Sequence, residues 1–187
     1  MRILEKEEEG RLDELFADFL TLSCEQGVKE MLSFFTKTFT SRTPSATRQT
    51  IQHESYLIHV HNRGDGICGV AVTDGEYPPR VAFAAIGECM ISFVNDNPNW
   101  GGIKNQIEYE PINANLQKFQ DPKNGDKITK IQSDLDETQQ ILHKTIDNVL
   151  ERGVKLDQLV ERSDDLSRQS KMFYKQARKT NSCCTIS

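Results

Sequence analysis

The chain has 187 residues, 36% of them hydrophobic and 27% charged, and a formal net charge of −5. That mix fits one modest core beside a strongly solvated extended segment, not a single large core. The negative balance gives the whole molecule no electrostatic reason to seek nucleic acid. The longest wholly apolar run, Val81–Ile86, falls far short of the ~20 residues a bilayer-spanning helix needs.

The opening "MRILEKEEEGRLDELF" is acidic and has no apolar stretch. It is therefore not a signal peptide, the expected compartment is the cytosol, and the stretch reads as helix rather than strand. From Glu25 to Phe39, Val28, Met31, Leu32, Phe35 and Phe39 recur at helical spacing. The chain then turns β-branched and aromatic. "NRGDGICGVAV" sets glycines between two apolar runs, so Tyr56–His61 and Ile67–Thr73 are expected as antiparallel neighbours. Pro78 and Pro79 open a second helix through "RVAFAAIGECMISFV", and "NDNPNWGGIKN" reads as irregular. Helix, strands, helix in that order predicts a small α+β domain with helices packed on an antiparallel sheet.

No metal, cofactor or catalytic pattern stands out in this part, and no enzyme is expected. His59 and His61 alternate on one strand face without a third ligand at sensible spacing, so they read as surface histidines rather than a zinc site. No phosphate loop, nucleophile elbow or H-E-x-x-H motif occurs. Cys24, Cys68 and Cys89 read as small buried apolar residues, since a reducing compartment disfavours disulfides.

Composition changes at "QDPKNGDK" (residues 120–127), where Pro122, Asn124 and Gly125 mark a linker. Beyond it, alternate steps of three and four pass through Ile128, Ile131, Leu135, Thr138, Leu142, Thr145, Val149, Arg152, Leu156, Leu159, Ser163, Leu166, Ser170, Phe173, Ala177 and Thr180. Arg152 is the only charged residue on these sixteen positions. A 3.5-residue period held this long predicts one coiled-coil helix of about 80 Å. Thr138, Thr145, Ser163 and Ser170 are small and polar, which makes the seam weak for a homodimer and suited to a bundle whose partners supply bulk. A buried guanidinium is destabilising unless acceptors meet its donors. If three partner helices each present a carboxamide oxygen there, Arg152 fixes register more than it adds stability. A homomeric coil with one tolerated polar core residue is the plainer alternative.

The stretch "LDETQQILHKTIDNVLERGVKLDQLVERSDDLSRQSKMFYKQARK" resembles the R-SNARE motif of vesicle-fusion proteins, and Arg152 matches its ionic-layer arginine. The resemblance implies assembly with three Q-SNARE helices, syntaxin-like and others, into a parallel four-helix bundle that zippers toward the membranes. The chain ends in "NSCCTIS". Cys184-Thr185-Ile186-Ser187 fits a C-a-a-X farnesylation signal, and Cys183 is a plausible palmitoylation site. One short lipid binds only marginally, so two are expected, with Lys171, Lys175, Arg178 and Lys179 as a basic stretch beside them.

That tail narrows the resemblance to prenylated longin-domain R-SNAREs, together with "SRTPSATRQTI", "GVAVTDGEYPPRVAF" and "FQDPKNGDKITKIQSDLDET". The resemblance implies a profilin-like longin domain with a five-stranded antiparallel sheet at residues 1–120, its first strand missing or altered. A linker at 121–127, an R-SNARE helix at 128–180 and a lipidation tail at 181–187 would follow. It also implies that the longin domain folds back on the SNARE segment and shelters the farnesyl group, with Phe34 of "VKEMLSF" lining the groove. The protein would cycle between cytoplasm and the cytosolic face of Golgi, vesicle and endosomal or vacuolar membranes. Two other readings remain: a prenylated tethering or regulatory coiled coil outside fusion bundles, and a prenylated enzyme such as a small GTPase, against which the missing phosphate loop speaks.

Overall fold

A computed structural model of the chain describes residues 2–5, 26–54, 56–103, 109–122, 141–151 and 153–183. Three strands form a meander: β2 (Thr47–His53), β3 (Tyr56–Asn62) and β4 (Ile67–Asp74). They pair antiparallel, with Ile51 opposite Ile58 and Val60 opposite Val70. Strand alternation sends Ile51, Ile58, Val60, Cys68 and Val70 to one face, where α1 (Gln26–Thr40) covers them with Met31, Phe34 and Phe39. Phe34 and Phe39 fall three and eight residues after Met31 and so share the helix's inner side with it.

The opposite face carries His59, His61, Ile67 and Gly69, roofed by α2 (Pro79–Asp96). Pro79 sits in the first turn of α2, where its missing N–H costs nothing. Gly69 lets the helix approach closely, because a Cβ there would collide with Ile86. A third helix, α3 (Pro111–Phe119), packs on α2 through Ile112 and Phe119. It is held by the Tyr77 hydroxyl, which donates to the Phe119 carbonyl at 2.5 Å, and by a Lys118–Glu88 ion pair at 2.6 Å.

The expected hairpin and both expected helices are present, and the structure corrects four other expectations and adds one helix. Residues 2–5 are not helical, and the rest of the opening stretch lies outside the described residues: β1 (Arg2–Glu5) pairs antiparallel with β4, Ile3 opposite Gly69 and Leu4 opposite Cys68. A bare β4 edge needs a backbone partner, and that requirement outweighs the acidic composition that follows. Next, α3 falls in a region that gave no helix signal beyond Pro111 and the spacing of Ile112, Asn115 and Phe119. His59 and His61 are not surface residues: they are 0% and 6% exposed, beneath Phe83 of α2.

The other two corrections concern residues 141–183. The sheet has five strands in the order β1-β4-β3-β2-β5, and it is mixed. Only β1–β4 are antiparallel. β5 (Ile141–Thr145) comes from the C-terminal segment and pairs parallel with β2, Arg48 opposite Ile141 through Gln52 opposite Thr145. Nor does that segment form one rod. After β5 come three separate helices, α4 (Ile146–Val149), α5 (Leu156–Arg162) and α6 (Arg168–Cys183). A lone helix with an apolar seam has nowhere to bury it, so the chain breaks where breaking lets apolar side chains reach the α1 face.

Candidate functional site

The candidate site is the contact between the folded-back C-terminal segment and the α1 face. It begins at the β2 edge, where β5 takes up backbone hydrogen-bonding groups that would otherwise face water. The helix that follows lasts one turn, closed by the Leu150 N–H donating to the Ile146 carbonyl at 3.0 Å. Gly153, at φ +89°, then turns the chain, and Val154 N–H donates to the Glu151 carbonyl at 2.9 Å. Non-glycine residues rarely adopt that φ. A glycine four residues after the end of one short helix and three before the start of the next is what permits this break.

Past the turn, α5 and α6 form a helical hairpin over α1. Leu156, Val160, Leu166 and Tyr174 are buried in the same cluster as Phe34, Phe39, Ile51 and Val60, as are Ile146 and Leu150 from α4 and the residue after it. Polar contacts fix the register. The Glu30 carboxylate on α1 accepts from the Ser167 N–H at 2.9 Å and from the Ser170 hydroxyl at 2.5 Å. Lys37 pairs with Asp165 at 3.0 Å, although Asp165 is 60% exposed and the pair contributes little. The Tyr174 hydroxyl donates to Asp157 at 3.0 Å. The Tyr174 ring stacks on His53 of β2 at 6.2 Å, and His53 meets Phe35 of α1 edge-on. Tyr174 thus ties α6 to both the sheet and α5.

The seam residues divide. Leu156 and Leu166 are 5% exposed and Ser170 is fully buried; Val149 and Leu159 are partly buried against the same core, and Ser163 is half-buried. Leu142, 41% exposed, and Thr145 lie in β5 and are left outside the core. Ile128, Ile131, Leu135, Thr138, Arg152 and Cys184 lie outside the described residues, as do the side chains of Phe173, Ala177, Thr180 and Cys183. Phe34 is 8% exposed within the shared cluster.

Among the described residues of the segment, four buried ones are not on the seam at all: Ile146, Leu150, Val160 and Tyr174. The sequence held a signal for them. They are the apolar residues that a 3.5-residue seam leaves on its outer positions, where the neighbours are Asp, Glu, Lys and Gln. A coiled coil has no use for four apolar side chains there; a docking surface does.

Two family models cover nearly the whole chain. A regulated-SNARE-like (longin) domain matches residues 16–119 and synaptobrevin matches residues 127–185. The chain is 47% identical over 161 residues to "Synaptobrevin homolog ykt6" of Schizosaccharomyces pombe, spanning 85% of this chain and 82% of that one. It is 49% identical over 162 residues to "VAMP-like protein YKT61" of Arabidopsis thaliana, spanning 85% and 81%. With "Synaptobrevin homolog YKT6" of Saccharomyces cerevisiae it shares 43% over 164 residues, spanning 85% and 82%.

The chain belongs to the longin-domain synaptobrevin family. It is an R-SNARE of vesicle fusion carrying a longin domain, and Q-SNAREs are its partners. SNARE proteins are not enzymes. Among the described residues no helix is long and apolar enough to cross a membrane.

For a SNARE the geometry has a direct consequence. Residues 141–145 advance about 3.3 Å each as a strand and only about 1.5 Å each in a coiled-coil helix. Leu156, Leu166 and Ser170 face the longin core here and would face partner helices in a bundle. One segment cannot satisfy both sets of contacts at once.

Proposed function

We propose that this R-SNARE alternates between the docked form and a straight helix that joins three Q-SNARE helices, syntaxin-like and others, with Arg152 in the ionic layer and the seam from Ile128 to Thr180 in the bundle core. The longin domain holds the segment back until partners or membrane compete for it. Farnesyl on Cys184 and palmitoyl on Cys183 anchor the active form. The protein thereby cycles between cytoplasm and the cytosolic face of Golgi, vesicle and endosomal or vacuolar membranes. Phe34 serves as part of the surface that receives the segment, and the farnesyl group when docked.

The observation that supports autoinhibition best is the double use of the segment: Leu156 and Leu166 belong to the seam and are already buried against the longin core. The off-seam residues make the reading testable without harming the bundle. Leu150→Ala combined with Val160→Ala removes two buried side chains of the docked form and none of the seam. The variant is expected to assemble with Q-SNARE helices faster than wild type and to drive faster liposome fusion. Arg152→Gln is expected to slow correct assembly. If the double variant assembles no faster, docking does not restrain the segment; if the chain self-associates and ignores Q-SNARE helices, it is a tethering coil. Mass spectrometry of the native C-terminal peptide tests both lipids, and full membrane recovery of Cys184→Ser would refute the anchor.

A further inference from the structure

The outer side of α6 carries a feature that neither the contact with the longin domain nor the coiled-coil seam uses. The helix RQSKMFYKQARKTNSC has Arg168, Lys171, Lys175, Arg178 and Lys179 and no acidic residue, within a chain of net charge −5. Its inner side is set by Ser170 and Tyr174, both buried. Met172 points the other way and is 66% exposed, the most exposed large hydrophobic among the described residues. Exposed Arg168 and Lys175 lie four residues before it and three after, on the same side of the helix. Met172 is off the seam, which passes through Ser170 and Phe173, so a four-helix bundle would not bury it in its core.

We propose that this face, with Met172 between Arg168 and Lys175, recognises an anionic phospholipid surface while the segment is still docked. Cationic side chains flanking an exposed apolar tip suit an interface in which headgroup phosphates meet the charges and the thioether enters the acyl boundary. Of the acidic groups near α6, Glu30 and Asp157 are engaged by the inner-side residues Ser170 and Tyr174, Asp165 pairs with Lys37 of α1, and exposed Asp164 lies four residues before Arg168. Glu161 of α5 is the direct intramolecular competitor. Its carboxylate pairs with Lys175 at 2.8 Å and its backbone carbonyl accepts from Lys171 at 2.8 Å. The charges act locally, since fields fade over about 8 Å in physiological salt, so α6 can bind although the whole molecule is acidic.

The proposal needs no covalent lipid, so it is tested on the unlipidated full-length chain, and its failure would leave the reading of Cys183 and Cys184 untouched. Binding to phosphatidylcholine vesicles is compared with binding to vesicles containing about 30 mol% phosphatidylserine, with hydrogen exchange followed at the β5 amides. Preference for the anionic vesicles is expected. Arg168→Gln and Lys175→Gln should each reduce partitioning about five-fold. Met172→Ser should reduce it several-fold, and Glu161→Gln should raise it. Protection of Leu142–Thr145 should be the same on vesicles as in solution. Equal binding to both vesicle types, indifference to Arg168 and Lys175, or equally tight binding to duplex DNA would overturn the lipid assignment. Loss of β5 protection on vesicles would show that the undocked form binds, and would overturn recognition by the docked form.

Discussion

Gly153 is the residue on which the docked and straight forms differ most simply. In the docked form its φ is +89°, and nothing lies within 4 Å of where a Cβ would stand. Gly153→Ala therefore introduces no clash, and its effect is conformational. Holding alanine in the left-handed region costs about 1 kcal/mol. In a continuous helix the same substitution is favourable by about 1 kcal/mol, because glycine is that much poorer than alanine in a helix interior. The two terms act in the same direction, so the balance shifts toward the rod by about 2 kcal/mol, or roughly 30-fold. Hydrogen exchange at the Leu142–Thr145 amides, which pair with β2 only when the segment is docked, reads that shift directly. Protection should fall by about that factor, and assembly with Q-SNARE helices should accelerate. If protection is unchanged, or assembly slows, the turn at Gly153 is not what separates the two forms.

Three further outcomes follow from the same contacts. Leu150→Ala empties a 5% exposed site off the seam and should weaken docking by about 2–5 kcal/mol, seen as lost β5 protection with the melting of an assembled bundle unaltered. Glu30→Gln removes a charged acceptor shared by Ser167 and Ser170 and should cost docking about 1–3 kcal/mol, whereas Lys37→Gln should cost under about 1 kcal/mol because its partner Asp165 is exposed. His59, fully buried between the hydroxyls of Thr50 and Thr73 at 3.0 Å each, has its pKa lowered by burial, and secondarily by His143, from 6.5 to about 4. The unfolded chain therefore takes up a proton that the folded chain refuses. Stability is full above pH 6.5 and falls from there toward pH 4, by about 2 kcal/mol at pH 5. Urea midpoints at pH 7 and pH 5 check this, and a His59→Gln variant should lose that part of the slope.

The longin core was legible where burial follows strict periodicity. Tyr56–His61 and Ile67–Thr73 pair as the glycine-punctuated apolar runs imply, and Pro79 opens α2. Cys68 and Cys89 are buried, with burial pushing the Cys89 thiol up to about 12; Cys24 lies outside the described residues. His59 and His61 were misread because a strand residue's exposure depends on what roofs its face, and Phe83 is some twenty residues away in sequence. Residues 2–5 were misread because the demand for a strand belongs to the β4 edge, not to those residues themselves.

The 3.5-residue period of the C-terminal segment was legible, and the docked arrangement that the segment takes here was not. A period of 3.5 residues with a single arginine is a property of local order, so sequence alone pointed to a helix suited to partner helices, and the order of elements before it to an α+β domain. It could not announce β5 or the turn at Gly153, and it showed Ile146, Leu150, Val160 and Tyr174 only as apolar residues off the seam, without the surface that buries them. Those depend on a bare β2 edge and an apolar α1 face lying within reach of the same chain. Periodicity records which side chains need to leave water; only the tertiary structure decides which surface takes them.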